Sequence, residues 1–292
     1  MWTAEAWHDF AAGWAGGSLG ILCGHPLDTI KVRQQALLVS PLRCLTATLR
    51  HEGARGLFKG LAFPLVSAGA VNSVFFGVYY NCLRHLSGGG GAGGGAEAPL
   101  RHVAAAGALG GLAQLAVAVP VDLVKIQLQT RTGVGGGWVR HYQTPAAGPL
   151  ACLAALYRAG GAAAWYRGLG VQLLRDVPAS AAYFVLYEAG VRWARSHQVP
   201  SAAAVLVAGG AAGVLSWSLI LPLDVVKSRI QADSPERPQF RGVVHCARET
   251  VIRDGPAALF RGFTTMAARG FVVNAATFFG YEYFMVGIKL VA

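Results

Sequence analysis

The chain has 292 residues, of which 54% are hydrophobic and 13% charged; its formal charge is +11 and its mean hydropathy +0.43. Soluble domains carry about 25% charged residues, so this composition argues against a soluble domain and for a membrane protein with several spans. The basic residues form no patch with interleaved aromatics and no nucleic-acid-binding signature, which argues against a nucleic-acid partner despite the charge.

At the N-terminus, Glu5 and Asp9 precede any Lys or Arg. Secretory signals start basic and transit peptides are Arg-rich and acid-poor, so no removable targeting segment is read there. An apolar, glycine-rich stretch over 8–25 then runs into Pro26-Leu27-Asp28-Thr29-Ile30-Lys31-Val32-Arg33-Gln34-Gln35. The same phrase ends a second apolar stretch (102–119) as Pro120 through Gln129, and a third (203–221) as Pro222 through Gln231. Each copy fixes a Pro, an acid two residues on, a Lys three later and a Gln four after that. The copies start 94 and 102 residues apart, too far for solenoid repeats, so the chain divides into three homologous modules: 1–98, 99–198 and 199–292.

A polar segment of 25–35 residues with its own helical stretch lies between the two apolar stretches of each module and takes in the copy. It ends in an aromatic-basic-Gly triplet: Phe58-Lys59-Gly60, Tyr166-Arg167-Gly168 or Phe260-Arg261-Gly262. A second apolar stretch then begins (62–85, 169–193, 264–288), giving six predicted spans of about 20 residues, two per module. Of the 25 Lys and Arg, 18 lie in the three polar segments and so on one side of the membrane if the spans alternate. Gly88 to Gly95 reads as a flexible link. Gly13/Gly17, Gly107/Gly111 and Gly209/Gly213 are small-xxx-small pairs in register, expected where helices approach closely. The five cysteines contain no CxxC and read as small buried hydrophobes.

Charges inside membrane helices are costly and by default face the interior and pair. Asp28/Lys31, Asp122/Lys125 and Asp224/Lys227 share helix faces at i and i+3, and in a three-module ring each acid can meet the Lys of the next module. Gln35, Gln129 and Gln231 lie one turn beyond and are placed to hydrogen-bond across these pairs. With a Pro kinking each helix, the arrangement predicts a charged gate.

These motifs resemble those of the mitochondrial carrier family, whose signature is Pro-x-acid-x-x-base, an acid-Gly pair and an aromatic-basic-Gly. The resemblance covers nearly the whole chain in three copies. It implies an all-α membrane protein with six transmembrane helices, pseudo-threefold symmetry and a short matrix helix per module. It also implies a location in the mitochondrial inner membrane, termini facing the intermembrane space, a monomer, and alternating access around one central site. By the match, the Asp and Lys residues are a matrix salt-bridge network and the three glutamines its braces. The acid-Gly pair survives as Glu52-Gly53 and Asp254-Gly255, but the second module has Gly160-Gly161. The family's cytoplasmic gate pairs an aromatic-acid with a base three residues after the acid. Here Tyr187-Glu188 and Tyr281-Glu282 keep the first half, the first module reads Tyr79-Tyr80, and the base positions are Leu83, Val191 and Met285. With no cation to pair, the expectation is a cytoplasmic side held by apolar contacts and tyrosine hydroxyls.

For the central site, Arg175-Asp176-Val177-Pro178 stands where amino-acid and carnitine-type carriers place an Arg followed by an acid. A guanidinium suits a carboxylate bidentately, and the neighbouring acid suits an ammonium; a purely structural Arg–Asp pair is the alternative. Arg269 and Ser67 occupy the equivalent places in the other modules. Trp217 either faces a quaternary ammonium by cation–π attraction or packs in the membrane. Asn72, matched by Asn274, either lines the cavity or bonds between helices. Lys59-Gly60, Arg167-Gly168 and Arg261-Gly262 offer basic helix starts suited to cardiolipin head groups; plain positive anchors are the other reading. The expected partners are a small-molecule substrate and membrane lipid, with no nucleic acid, no metal and no cofactor beyond structural cardiolipin. The function expected is transport of a small zwitterion or cation of the amino-acid, carnitine or methylated-ammonium (choline-like) kind. The competing reading is a carrier-like protein that moves no metabolite and acts as a proton leak or scaffold. An enzyme is disfavoured, since no nucleophile–base pair, metal cluster or phosphate loop stands out.

Overall fold

A proline inside a helix removes one backbone bond and pushes on the carbonyl four residues before it, yet here it does not stop the chain. α1 (Ala4–Leu37) carries Pro26 in its interior and α4 (Leu100–Thr130) carries Pro120. A third helix, α7, covers 220–232 and holds Pro222. As the reading of helices that continue through the Pro requires, α1 and α4 run on for about three turns past the apolar stretches that end at 25 and 119, and α7 runs on past 221 to 232. The repeated phrase is thus helical, which puts its acid and its Lys on one face. The computed structural model describes residues 4–87, 98–130, 148–197, 220–233 and 238–291, and among these there is no strand.

Each module then repeats one path. The polar segments hold α2 (Pro41–Glu52), α5 (Pro149–Gly160) and α8 (Val243–Asp254). α2 and α5 open on a proline, where a missing N–H costs nothing, and the Ser40 hydroxyl accepts from the Arg43 amide at 3.4 Å. Each short helix ends at a glycine and leads into a single 3₁₀ turn (Ala54–Phe58, Ala162–Tyr166, Pro256–Phe260). A second glycine then redirects the chain into the long helices α3 (Ala62–Leu86), α6 (Leu169–Ser196) and α9 (Phe263–Val291). Gly60, Gly168 and Gly262 sit at φ +78°, +86° and +94°, a region that costs other residues about 1–2 kcal/mol. That conformation is the physical reason for the Gly in the aromatic-basic-Gly triplet.

Among the described residues, two stretches are long and apolar enough to span on their own composition, Ala54–Leu86 and Leu100–Thr130, each with mean hydropathy 1.7. α6 instead carries Arg175 and Asp176 about two turns from its start. The long helices pack α1 on α9, α3 on α4 and α4 on α6. Gly107 and Gly111 lie against Ala181 and Ser180 of α6, as a small-xxx-small face requires. In α1 the close face is not the expected one: a Cβ on Gly17 would meet nothing within 4 Å, whereas one on Gly20 would fall 2.2 Å from Thr277 Oγ1 and one on Gly24 2.3 Å from Val273. The expectation is corrected at Gly17, the close face being Gly20/Gly24, with Gly280 of α9 fitting against Gly16; the surroundings of Gly13, and Gly209/Gly213, lie outside the described residues. Cys44, Cys152 and Cys246 occupy equivalent, fully buried positions on α2, α5 and α8, while Cys23 is exposed and Cys82 half-buried.

Candidate functional site

The three modules meet in a closed ring of ion pairs. Lys125 Nζ lies 2.7 Å from Asp28 Oδ2, Lys227 Nζ 2.6 Å from Asp122 Oδ2 and Lys31 Nζ 2.7 Å from Asp224 Oδ2. Every acid takes the Lys of the module that follows it, around the full circle. Asp28, Lys31, Asp224 and Lys227 are buried, so these are not snorkelling surface charges. Asp122 keeps its side chain 31% exposed.

The three glutamines differ from one another. Gln35 Nε2 donates to Asp224 Oδ2 at 2.9 Å, and its Oε1 accepts from the Ser228 hydroxyl at 2.8 Å. Gln231 acts at one remove: its Nε2 donates to Gln172 Oε1 at 3.1 Å, and Gln172 Nε2 donates to Asp122 Oδ2 at 2.9 Å. Gln129 Nε2 donates instead to the Thr29 hydroxyl at 3.1 Å, beside His25. The equal-role expectation is corrected for Gln129, whose described side-chain bonds go to neither member of a ring ion pair. Gln172 and Ser228 escaped the repeat comparison because the other modules hold Pro64 and Met266, or Val32 and Ile126, at those places.

Above the ring is a cavity of about 630 Å³ lined by α1, α3, α4, α6, α7 and α9. Arg175, Asp176, Arg269, Ser67 and Asn72 all line it, together with Asp28, Asp122 and Lys125 of the ring. Arg175 bridges two acids: its Nε donates to Asp176 Oδ1 at 2.5 Å and its Nη1 to Asp224 Oδ1 at 2.5 Å. Arg269 forms an ion pair with Asp28 Oδ1. Both arginines therefore hold ring acids from the cavity side. Ser67 turns its hydroxyl back to the Phe63 carbonyl at 2.7 Å. Trp217 lies outside the described residues. The cavity wall above the arginines includes Phe76, Tyr183 and Phe184, which pattern reading passed over although Phe76 and Phe184 are repeat equivalents, with Phe278 at the same place in the third module; the equivalents of Tyr183 are Phe75 and Thr277.

At the far end, Glu188 is not left without a cation. Arg192 Nε donates to Glu188 Oε1 at 2.9 Å, and Arg192 also bonds the Ala98 carbonyl. The expectation of no pairing cation is corrected: the base stands four residues after the acid rather than three. Tyr79 is buried against Phe184, and Tyr183 stacks on Tyr187. The side chains of Tyr281 and Glu282, on α9, lie outside the described residues.

On the ring side, Lys59 Nζ pairs with Glu52 Oε2 at 2.6 Å and Arg167 Nη2 with Asp233 Oδ2 at 2.7 Å. Buried Arg33 ties the first two modules: it donates to Glu52 at 2.9 Å, to Thr48 at 2.6 Å and to the Gln129 carbonyl at 2.7 Å. In the third module Arg229 lies 2.7 Å from Thr250 and 3.8 Å from Asp254. In the second, where Gly160 replaces the acid, Gln127 replaces the arginine and donates to the Gln231 and Asp233 carbonyls at 2.6 and 3.1 Å. The missing acid is matched by a missing base, so no buried charge is stranded.

Three repeats of a proline-bearing helix, a short helix and a long helix, closed by a ring of inter-module ion pairs beneath a polar cavity, define an all-α membrane transporter. The family profile described as "Mitochondrial carrier protein" matches residues 3–90, 96–198 and 198–289. The chain is 40% identical over 284 residues to Solute carrier family 25 member 45 of Homo sapiens, covering 95% of this chain and 97% of that protein. It is 40% identical over 296 residues to Solute carrier family 25 member 48 of Homo sapiens (96% and 95% covered). It is 38% identical over 282 residues to the Mitochondrial basic amino acids transporter of Bos taurus (92% and 88% covered). The chain belongs to the mitochondrial carrier protein family: it is a multi-pass protein of the mitochondrial inner membrane and a solute transporter, not an enzyme.

Proposed function

We propose that this carrier moves a small zwitterionic or cationic metabolite of the amino-acid, carnitine or methylated-ammonium type by alternating access. The observation that carries the reading is that Arg175 and Arg269 line the cavity while holding Asp224 and Asp28 of the ring. Five cations (Lys31, Lys125, Lys227, Arg175, Arg269) face four acids (Asp28, Asp122, Asp176, Asp224) in the described floor. That excess of one positive charge favours one carboxylate. A substrate carboxylate engaging Arg175 in a bidentate pair competes with Asp224 for the same guanidinium. Loosening that contact, and the Arg269–Asp28 contact opposite, removes the cavity-side brace from two of the three ring acids. The substrate opens the ring to the extent that it binds the open form more tightly than the closed one.

In this reading the ring is the matrix gate, braced directly by Gln35 and through Gln172 by Gln231. Tyr79, Tyr187, Glu188, Tyr281 and Glu282 close the cytoplasmic side, Glu188 with Arg192 as its cation. Both termini face the intermembrane space and the protein works as a monomer. Cardiolipin head groups dock at the amide groups of the Gly60, Gly168 and Gly262 turns, with Arg261 as a basic contact, because Lys59 and Arg167 are drawn into ion pairs. The name of the bovine relative, a basic amino acids transporter, agrees with this substrate class.

The test is uptake of radiolabelled carnitine, lysine, arginine, ornithine, trimethyllysine and choline into cardiolipin-containing liposomes. Wild-type protein takes up at least one zwitterion, and Arg175→Ala abolishes that uptake while melting as a folded protein. Undiminished uptake in the Arg175→Ala/Asp176→Ala double variant removes the site assignment.

A further inference from the structure

Resting on the reading above, we infer that the cationic end of the substrate is held by an aromatic corner on α3 and α6 rather than by Asp176, and that this corner selects a methylated ammonium over a primary one. Asp176 is the carboxylate that the sequence offers to an ammonium, but its Oδ1 is taken by Arg175 Nε at 2.5 Å. The other cavity-lining acids, Asp28 and Asp122, are each held by a lysine of the ring. A substrate ammonium entering the cavity therefore meets acids already neutralised by resident cations.

The rings above the arginines offer another surface. Phe76 and Tyr183 each stand nearly perpendicular to Phe184, at 85° and 83°, with centroids 6.4 and 5.3 Å from it. All three line the cavity. Phe184 is fixed from behind by Phe75, stacked at 5.4 Å, and by Tyr79 at 4.5 Å, so the corner is preformed. A methylated ammonium spreads its charge over methyl groups, needs no hydrogen-bond acceptor and is attracted to ring faces, whereas a primary ammonium there gives up hydrogen bonds to water. Tyr183 lies eight residues beyond Arg175 on α6, about 12 Å along the helix at 1.5 Å per residue. The carboxylate and the onium of the substrate are therefore separated by a chain of several bonds, as in a side-chain-methylated amino acid.

The experiment compares uptake of lysine and Nε-trimethyllysine, which differ only in methylation, by reconstituted wild-type, Tyr183→Leu, Phe76→Leu and Tyr183→Phe proteins. The expected result is a wild-type preference for the trimethylated compound. That preference falls roughly five- to thirtyfold in either Leu variant and is kept in Tyr183→Phe, which retains the ring. Thermal unfolding with each compound reads the same selectivity as a difference in stabilisation, independent of turnover. Equal uptake of the two compounds by wild-type protein, still abolished by Arg175→Ala, overturns the aromatic corner alone. Uptake of neither compound while arginine or ornithine is taken up overturns the corner alone, and uptake of none of the six compounds overturns the corner together with the substrate reading beneath it.

Discussion

Asp224 is the most heavily used acid in the ring, and replacing it with Asn tests how the ring is held. Its carboxylate meets Lys31 at 2.7 Å, Arg175 at 2.5 Å and Gln35 at 2.9 Å, with the side chain only 4% exposed. Asn keeps the shape but leaves two cations, 11% and 12% exposed, without that acid. Removing one partner of a buried pair costs about 3–5 kcal/mol. Arg175 retains Asp176, which places the expected loss near the low end, about 3 kcal/mol. At roughly 2–4 °C per kcal/mol for a chain of this size, Tm falls by about 6–12 °C. Asp122 meets one lysine among the described contacts and is partly open to the cavity, so Asp122→Asn lowers Tm by less. Exchanging the charges separates the two sites further. Asp122→Lys with Lys227→Asp recovers stability, whereas Asp224→Lys with Lys31→Asp sets a lysine against Arg175 and does not. Thermal unfolding of purified protein in cardiolipin-containing detergent reads all four. Equal losses for Asp122→Asn and Asp224→Asn, or full recovery in the Asp224/Lys31 exchange, refute this reasoning.

Gly20→Ala forces a Cβ to 2.2 Å from Thr277 Oγ1 and 3.1 Å from the Val273 carbonyl, which costs about 1–3 kcal/mol. Gly17→Ala meets open space and gains up to about 1 kcal/mol of helix propensity, so the two variants shift Tm in opposite directions; a shared sign contradicts the α1–α9 packing. At pH 7 a polar maleimide leaves Cys44, Cys152 and Cys246 unmodified until the protein is denatured. All three are buried, and burial pushes the Cys246 thiol up to about 11 and raises that of Cys44. Stoichiometric labelling of Cys246 in the folded protein at that pH contradicts their placement. Arg192→Ala frees Glu188 at the far end of α6 and alters uptake kinetics with only a modest fall in Tm, because a half-exposed i,i+4 pair is worth about 0.3–0.5 kcal/mol and the bond to the Ala98 carbonyl about 1 kcal/mol more; a large stability loss contradicts that role.

Features that occur three times were legible in the sequence, since each module constrains the other two. The Pro-x-Asp-x-x-Lys phrase gave the helix face, and the order of modules gave the pairing of Asp28 with Lys125, Asp122 with Lys227 and Asp224 with Lys31. What escaped was what only one module carries. Gln172 reaches Asp122, Ser228 reaches Gln35, and Gln127 stands in for an arginine; no repeat marks any of them. The Gly17 reading failed because spacing fixes which residues share a helix face, not which face meets a neighbour. Arg192 was missed because the search stopped three residues after the acid, although a helix brings the fourth just as near. The aromatic corner depends on ring orientations between α3 and α6, which no local pattern encodes.

Leu42, Leu150 and Val244 are exposed and equivalent on α2, α5 and α8, beyond the ring. Spin labels there, in a background lacking Cys23 and Cys82, report the distances between modules. If the ring is the gate that substrate opens, all three distances lengthen when a transported zwitterion is added to wild-type protein and stay fixed in Arg175→Ala. Distances that do not change while the labelled protein is actively taking up substrate would contradict the account.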